Sequence, residues 1–318
     1  MKFWNINKFL TIGLLLVLAV VAYVSNLANT SSKSLDIAPE YFATLDSAGI
    51  NKIQLSVASG KTVTLQKNGS EWMVNNAYKA SKMNINRILF ILANVRVKRE
   101  FSGPTEKETI AKLTSEGTKV QVFVNNKLDK EFIMDNGDIT SSSCFYSSVT
   151  KKAYFVELPA YTDVFSRFVS ADINMWRSRL ICENQLKQID RVITTWDGKK
   201  VQIKYENDFF KVENVNHLDS MILGRYLIQY RNLECDKFLE DSSKSLCTRD
   251  FSKVFGSVQI QDIDSTKNTN LYFFNIPNEQ KYFLGYSTML KECFWISKNK
   301  AVDLLIESEK LFEKRKED

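Results

Sequence analysis

The sequence predicts an α+β protein: two tandem β-rich repeats of mainly antiparallel strands with helices packed on the sheets, preceded by one N-terminal transmembrane helix. Three observations support this class. They are a long apolar run near the N-terminus, a match of the sequence to itself at a shift of 138 positions, and strand-like alternation followed by helical periodicity in both matching segments. A length of 318 residues, 44% of them apolar, suits two domains. We expect a cytoplasmic stub and anchor at residues 1–32, a first repeat at 33–183 and a second at 184–318.

The N-terminal segment Phe9–Val24 is uncharged and almost wholly apolar. About 20 helical residues are enough to cross the roughly 30 Å of a bilayer core. Lys2 and Lys8 precede the segment and the first acidic residue is Asp36, so the positive-inside rule leaves residues 1–8 in the cytoplasm and exports the rest. We expect a single-pass protein of the inner membrane with most of its chain in the periplasm.

A cleaved signal peptide is the alternative to this anchor. Cleavage requires small residues at the −3 and −1 positions, and a pair such as Asn26 and Ala28 fits that rule poorly. No lipoprotein motif is present, because the first cysteine of the chain is Cys144. We therefore favour an uncleaved signal anchor, and both alternatives export the body of the protein.

The internal match is strongest where Gly60–Asn76 aligns with Gly198–Asn214. In the same register, without a gap, Met83 falls on Met221 and Arg87 falls on Arg225. Further along the chain, two tripeptides also look alike, and we expect the strands that contain them to correspond. They are Cys144-Phe145-Tyr146 and Cys293-Phe294-Trp295.

Each repeat is predicted to begin with a three-stranded meander followed by a helix. In the first repeat, two alternating strands flank a turn at Ser59-Gly60, and a third strand passes through Trp72 and Val74. Ser81 and Asp219 stand at equivalent N-cap positions before the two helices. The apolar stripes expected to be buried are Ile85, Ile88, Leu89, Leu92 and Val95 in the first helix and Leu223, Tyr226, Leu227, Tyr230 and Leu233 in the second.

The remainder of the first repeat is predicted to hold a hairpin, two more strands and a closing helix. The hairpin covers residues 120–134, and the strands cover 144–146 and 153–156. Pro159 suits the first turn of the closing helix, because a proline there lacks only an N–H group that would have no partner. The matching helix of the second repeat is expected at Ala301–Glu313.

The charged and catalytic residues exclude several classes of function. The net charge of +6 arises from basic and acidic residues that alternate along the chain, whereas nucleic-acid binders concentrate positive charge, so we expect no nucleic-acid partner. His217 is the single histidine, so His-based triads, multi-His metal sites and His relays have almost nothing to be built from. The sequence contains no CxxC pair, no G-x-S-x-G elbow and no phosphate loop. We expect no enzyme activity, no metal and no cofactor; the alternative is an enzyme that uses a Ser-Lys dyad or paired acids such as Glu240 with Asp241 or Asp262 with Asp264.

Five cysteines lie in the part of the chain that we expect to be exported. Disulfides are permitted there. Cys235 and Cys247 could close a short loop if their Cα atoms came within about 7 Å of each other. Cys144 and Cys293 are expected to be small buried thiols.

Five residues are candidates for contacts between the repeats or with a partner. Arg87 and Arg225 occupy equivalent helix positions and are candidates for a functional surface. The interpretation that we favour for these two residues is that each arginine lays its stem over the sheet or pairs with a carboxylate. Trp176, Arg177 and Arg179 lie near the boundary between the repeats, where the arginines are expected to fix the inter-repeat geometry through carboxylate contacts.

The chain resembles the bacterial family defined by domain of unknown function 4340. The resemblance rests on the tryptophan-containing strand Gly69–Val74, on the helix rich in Leu and Ile, and on the basic segment Met175–Ile181. It covers residues 40–310, and the second copy departs from the pattern because Phe210 replaces the tryptophan. The resemblance implies an exported, membrane-attached domain without assigned catalysis, of a kind found with ABC-type export or gliding-motility components.

These features together predict a non-enzymatic, membrane-anchored extracytoplasmic protein that supports a cell-envelope assembly, such as an accessory of an ABC-type transporter. Its expected partners are the membrane, through the N-terminal helix, and other proteins of the envelope. The alternative is a module that binds an envelope glycan, a lipid or a small molecule in a cleft between the repeats.

Overall fold

A computed structural model describes residues 37–137, 142–159, 161, 164–239, 247, 250–306 and 308–314. The predicted stub and anchor at residues 1–32 lie outside the described residues, as do Glu240 and Asp241. Among the residues that are described, no helix has the length and apolar character that a bilayer crossing requires. The described residues form two compact units, which comprise 37–77 with 83–172 and 78–82 with 173–314. The division at 172/173 lies upstream of the repeat boundary expected at 183/184.

The first half of the chain forms mainly antiparallel strands, with helices between some of them. The strands are β1 (Ile50–Val57), β2 (Thr62–Asn68), β3 (Glu71–Val74), β4 (Tyr78–Lys79), β5 (Arg96–Glu100), β6 (Thr118–Val124), β7 (Lys127–Met134), β8 (Cys144–Ser147) and β9 (Lys152–Glu157). The helices are α1 (Lys82–Asn94), α2 (Glu106–Glu116) and the 3₁₀ turns Ser47–Gly49 and Phe165–Phe168. Strand β4 belongs to the second unit. Within the first unit the sheet order is β3-β2-β1-β6-β7-β8-β9-β5, and every neighbouring pair is antiparallel.

The predicted meander and helix of the first repeat are confirmed. Ile53 pairs with Leu65 and Leu55 pairs with Val63 across β1 and β2, and all four side chains are buried. The alternation with half-exposed polar residues gives the sheet one apolar face. The buried residues of α1 are Ile85, Ile88, Ile91 and Leu92, close to the predicted stripe.

The second half of the chain repeats this arrangement. Its strands are β10 (Leu180–Cys182), β11 (Ile189–Trp196), β12 (Lys199–Glu206), β13 (Phe209–Val212), β14 (Leu233–Glu234), β15 (Lys237–Phe238), β16 (Val254–Asp262), β17 (Thr269–Phe274), β18 (Tyr282–Ser287) and β19 (Glu292–Ser297). Its helices are α3 (Ile173–Trp176), α4 (Ser220–Ile228) and α5 (Lys298–Leu304), with 3₁₀ turns at Leu186–Gln188, Gln229–Asn232, Phe251–Lys253, Ser265–Lys267 and Glu309–Phe312. The eight-stranded sheet has the order β13-β12-β11-β16-β17-β18-β19-β15, and β10 pairs separately with β14.

The two units therefore have the same strand order, with each strand of the second sheet in the place of one from the first. Strands β3 and β13 and the starts of α1 and α4 are separated by the predicted shift of 138 positions. The turns between strands use similar chemistry. Asn125-Asn126 joins β6 to β7, Asp197-Gly198 joins β11 to β12 and Asn207-Asp208 joins β12 to β13, all with positive φ at both residues. Asparagine, aspartate and glycine tolerate this backbone conformation, which two-residue hairpin turns require.

The predicted match between the Cys144 and Cys293 tripeptides is wrong. Cys144 lies in β8, whose counterpart in the sheet order is β18, whereas Cys293 lies in β19, the counterpart of β9. Phe145 of β8 stands opposite Tyr154, and at the equivalent pair Gly285 of β18 stands opposite Phe294. Adjacent buried strands draw on the same few residue types, so a tripeptide does not identify which strand it belongs to.

The predicted closing helices are shorter than expected. Described residues after Pro159 in the first unit form only the 3₁₀ turn Phe165–Phe168. The range predicted as one helix in the second unit is divided into α5 and the 3₁₀ turn Glu309–Phe312. Leu304, Leu305 and Ile306 are all buried. Three consecutive residues cannot share one face of a helix, so the backbone becomes extended at Leu305 to bury them all.

Cys235 and Cys247 do not form the short loop that was open to them, and the expectation that Cys293 is a small buried thiol is wrong. Cys247 is bonded to Cys293 of β19, with their Cα atoms 5.8 Å apart, and the sequence separation is 46 residues. Cys235 is a free, buried cysteine, as are Cys144 and Cys182. Cys235 follows β14 into the core of the second unit, whereas Cys293 belongs to a separate apolar cluster against which Cys247 packs.

Candidate functional site

Arg87 lies on α1, outside the buried stripe of that helix. Its guanidinium carbon is 4.5 Å from the centre of the Phe168 ring, and its side chain is half-buried. A guanidinium over an aromatic face is a cation–π contact, which contributes about 0.5–1 kcal/mol at an exposed site. Arg87 therefore rests on an aromatic ring of its own unit, and among the described residues it forms no salt bridge.

Arg225 occupies the equivalent position on α4 and is exposed. The start of α4 is fixed by Asp219, whose carboxylate accepts hydrogen bonds from the backbone N–H groups of Met221 and Ile222 at 2.9 and 3.0 Å. The predicted N-cap at Asp219 is thus confirmed. Within the described part of the chain Arg225 has no carboxylate partner.

Trp176 ends the short helix α3 and is fully buried. Its backbone carbonyl accepts a hydrogen bond of 2.7 Å from the N–H of Ser81, the residue immediately before α1. The following residue, Arg177, forms an isolated antiparallel bridge with Ala80. The segment that contains Ser81 and Ala80 lies inside the first repeat in sequence, yet it belongs to the second compact unit.

Arg177 is the centre of a compact cluster in the second unit. Its guanidinium carbon lies 3.9 Å from the ring centre of Tyr78 and 3.4 Å from that of Phe238. Its Nη2 donates to Oε2 of Glu292 at 2.6 Å. The arginine side chain is only 10% exposed, so its charge is largely withdrawn from water. Two aromatic faces and one carboxylate take the place of that water. Because Tyr78, Phe238 and Glu292 are distant from one another in sequence, Arg177 joins three separate parts of the chain.

Arg179 is more exposed and has a simpler role. Its Nη1 donates to the backbone carbonyl of Asp236 at 3.2 Å, and its Nη2 lies 3.6 Å from Oε2 of Glu234. Its own carbonyl accepts a 2.9 Å hydrogen bond from the N–H of Cys235. These contacts connect the start of β10 to the segment that follows β14. Arg177 and Arg179 therefore both have carboxylate contacts, and all of the contacts named for them lie within the second unit.

A cleft of about 530 Å³ opens in the first unit beside β5 and β9. The register of this strand pair shifts between Val97 and Arg99, and a bulge of this kind redirects side chains. Lys98 of the bulge lies 3.4 Å from the carboxylate of Glu157, and the guanidinium of Arg99 lies 4.1 Å from the ring centre of Phe155. The other polar lining residues are Ser142, Ser143 and Tyr161. Cations, hydroxyl groups and an aromatic ring around one opening suit a small polar ligand. The sequence pattern did not reveal this cleft, because its residues come from β5, β9 and the segments around them.

Three other polar residues have structural partners. Ser143 accepts a hydrogen bond from the N–H of Ser166, and Asp264 caps a 3₁₀ turn through the N–H of Thr266. Asp262 accepts from the side-chain amide of Asn184 at 2.7 Å. In the ranges that the structure describes, no group of three His, Cys, Asp or Glu residues could hold a metal ion.

Burial raises the pKa of three free thiols to about 12. They are Cys144, Cys182 and Cys235, and desolvation of the thiolate is the largest cause for each. A thiol with so high a pKa is protonated near neutral pH and is a poor nucleophile. These cysteines therefore act as core residues rather than as reactive groups.

Comparisons of the chain with protein-family models, with curated proteins and with solved structures find no match. The resemblance to the family of domain of unknown function 4340 therefore stays a prediction.

Proposed function

We propose that this chain is a non-enzymatic, membrane-anchored extracytoplasmic protein in which two copies of one α+β unit support a cell-envelope assembly, such as that of an ABC-type transporter. The observation that carries the proposal is the disulfide between Cys247 and Cys293. Such bonds form and persist in oxidising compartments outside the cytoplasm. The apolar N-terminal segment, preceded by lysines and followed by a long stretch without acidic residues, supports export and attachment.

The matching strand orders support a duplication. Two units with the same order of eight strands, and with sequence agreement at one shift, are expected of copies of an ancestral unit. A protein with two copies of one extracytoplasmic unit presents the same binding surface twice, which suits a role in assembly.

Crosslinking in native membranes tests the proposal. The full-length protein would be crosslinked in intact cells, purified under denaturing conditions and analysed by mass spectrometry of the linked peptides. We expect links between described surface residues and other envelope proteins, at positions that recur between preparations. Repeated recovery of the protein without any linked partner would contradict the proposal.

A second candidate function is favoured by the cleft beside β5 and β9. We propose that it binds a small polar ligand, such as an envelope glycan or an anionic headgroup, because Lys98 and Arg99 stand beside hydroxyl groups at its mouth. Thermal unfolding of the full-length protein would be measured with fractions of an envelope extract. A stabilising fraction should lose its effect on the variant Lys98→Glu and keep it on Lys61→Glu, which changes an exposed lysine outside the cleft. No stabilisation by any fraction would remove this candidate.

A further inference from the structure

The outward faces of α1 and α4 carry the same unusual pattern. Met83 and Phe90 on α1 are 62% and 48% exposed, and Met221 and Ile228 on α4 are 71% and 54% exposed. The two residues of each pair are seven positions apart. An arginine stands four positions after the first of them, Arg87 in α1 and Arg225 in α4. Residues at these spacings lie on one face of a helix. Each helix thus displays a stripe of apolar residue, arginine and apolar residue, which we call the outer stripe.

The fold does not require the outer stripes. Other residues form the buried faces of the two helices, among them Ile88 of α1 and Leu227 of α4. A single exposed apolar side chain is ordinary on a protein surface. The four exposed apolar side chains stand at equivalent positions of the two units, each pair with an arginine between them. The contact of Arg87 with Phe168 accounts for that arginine, but not for the repeated exposure of the apolar residues. A repeated exposed apolar surface indicates an interaction site.

The charge of the stripes indicates what would cover them. Neither α1 nor α4 contains an aspartate or glutamate, and Asp219, at the start of α4, is already bonded to backbone N–H groups. Within the described residues, neither Arg87 nor Arg225 has a carboxylate partner. An occupant that buried the apolar residues without supplying negative charge would leave a desolvated arginine unpaired, at a large free-energy cost. The complementary surface is therefore apolar with an acidic residue at its centre.

A protein segment fits this pattern better than a lipid surface does. Binding to anionic lipid relies on clusters of several basic residues spread over a face. Each outer stripe instead places one arginine between two apolar residues, which suits a single carboxylate flanked by apolar side chains. An amphipathic helix presents such a set at matching spacing when it packs along another helix.

We propose that the outer stripes of α1 and α4 are two equivalent docking sites, each for an acidic amphipathic segment of a protein partner. This deepens the proposed function, on which it rests, because it names the class of partner that an assembly protein would hold. Two sites on one chain allow it to bind two copies of one segment, or a partner that carries two such segments, with a gain in overall affinity.

The test uses full-length protein in nanodiscs of zwitterionic lipid and two synthetic peptides. Both peptides are amphipathic helices with leucine on one face; one carries glutamate beside the leucines and the other carries lysine. We expect the glutamate peptide to bind with a stoichiometry of two per chain and the lysine peptide to bind at least about tenfold more weakly. Arg87→Glu and Arg225→Glu should each remove one of the two sites, and the double variant should prefer the lysine peptide.

The control is Lys61→Glu with Lys199→Glu, which reverses the charge at equivalent exposed positions away from the helices and should leave both sites intact. Equal binding of the two peptides, or binding that the arginine variants do not change, overturns the proposal. A photo-crosslinking residue at Phe90 or Ile228 tests other occupants in nanodiscs that also contain phosphatidylglycerol. Crosslinks to lipid or to a second copy of the chain would overturn it as well. Peptide binding is measured in vitro, so its failure is distinguishable from a failure of the proposed location or assembly role.

Discussion

The guanidinium of Arg177 bonds to the carboxylate of Glu292 at 2.6 Å, although the two residues are 115 positions apart in sequence. The rings of Tyr78 and Phe238 lie against the same guanidinium. Removal of the arginine would leave Glu292 without this partner and the two rings without their shared cation. A single substitution of Arg177 therefore affects contacts with three separate segments of the second unit.

We expect Arg177→Met to lower the free energy of unfolding by about 2–4 kcal/mol, because it removes a nearly buried ion pair and two cation–π contacts together. Glu292→Gln should cost about 1 kcal/mol, since Glu292 is partly exposed and the arginine retains its aromatic contacts. Urea denaturation followed by fluorescence checks both values. Arg179→Met is the matched control and should cost less than about 1 kcal/mol, because Arg179 is half-exposed. Equal losses at Arg177 and Arg179 would contradict the role assigned to the cluster.

The disulfide gives a prediction about thiol counting. Denatured protein that has not been reduced should react with an alkylating reagent at three cysteines, and Cys247 and Cys293 should be recovered in one linked peptide by mass spectrometry. Cys247→Ser should lower the free energy of unfolding by about 2–4 kcal/mol, because the bond restricts the unfolded chain over a long loop. Cys235→Ser removes a free cysteine and should leave the linked peptide in place. Alkylation at all five cysteines, or a peptide that links Cys235 to Cys247, would refute the assignment.

The buried thiols predict a loss of stability at alkaline pH. Their pKa is raised to about 12 in the folded protein, whereas an unfolded thiol ionises near pH 8.5. The folded state therefore holds these protons more tightly than the unfolded state does. The contribution of the protonated thiols to the free energy of unfolding is fully present below about pH 8.5 and is lost as the pH rises toward 12. The urea midpoint should fall between pH 8.5 and 11 more steeply for the native sequence than for Cys144→Ala. Parallel slopes for the two proteins would show that Cys144 does not contribute.

Two glycines of the second unit are expected to respond in opposite directions to alanine. A Cβ atom at Gly285 would overlap the ring of Phe294, whereas a Cβ atom at Gly224, within α4, would meet no atom within 4 Å. Gly285→Ala should lower the free energy of unfolding by about 1–3 kcal/mol, and Gly224→Ala should raise it by about 0.5–1 kcal/mol through helix propensity. Thermal unfolding measures both. The variant Gly285→Ala/Phe294→Leu should recover part of the loss, and its failure to do so would place the strain elsewhere.

The elements that the sequence predicted well are those with a strong local period. The alternation in β1 and β2 and the helical stripe through Ile85, Ile88 and Leu92 follow from burial of one face, and burial leaves a pattern in every second or every third to fourth residue. The N-cap at Asp219 was readable for the same reason, because its hydrogen bonds reach only two and three residues along the chain.

The features that were missed depend on contacts between distant residues. The partner of Cys247 follows from the place of β19 in the sheet, and no spacing rule reveals that strand order. Arg177 was a candidate from its place in the sequence, but Tyr78, Phe238 and Glu292 come from three other segments. The cleft beside β5 depends on a bulge between Val97 and Arg99, which is a property of strand pairing rather than of composition.

We propose that the two matching units lie outside the cytoplasm while the chain is attached by its N-terminal segment. Labelling of introduced cysteines in intact spheroplasts with a membrane-impermeant maleimide tests this directly, in full-length variants that carry Lys2→Cys, Lys61→Cys or Lys199→Cys, with the native sequence as the control for its own five cysteines. We expect Lys61→Cys and Lys199→Cys to be labelled at once and Lys2→Cys to be labelled only after lysis. Protection of both Lys61→Cys and Lys199→Cys until the membrane is broken would contradict this proposal.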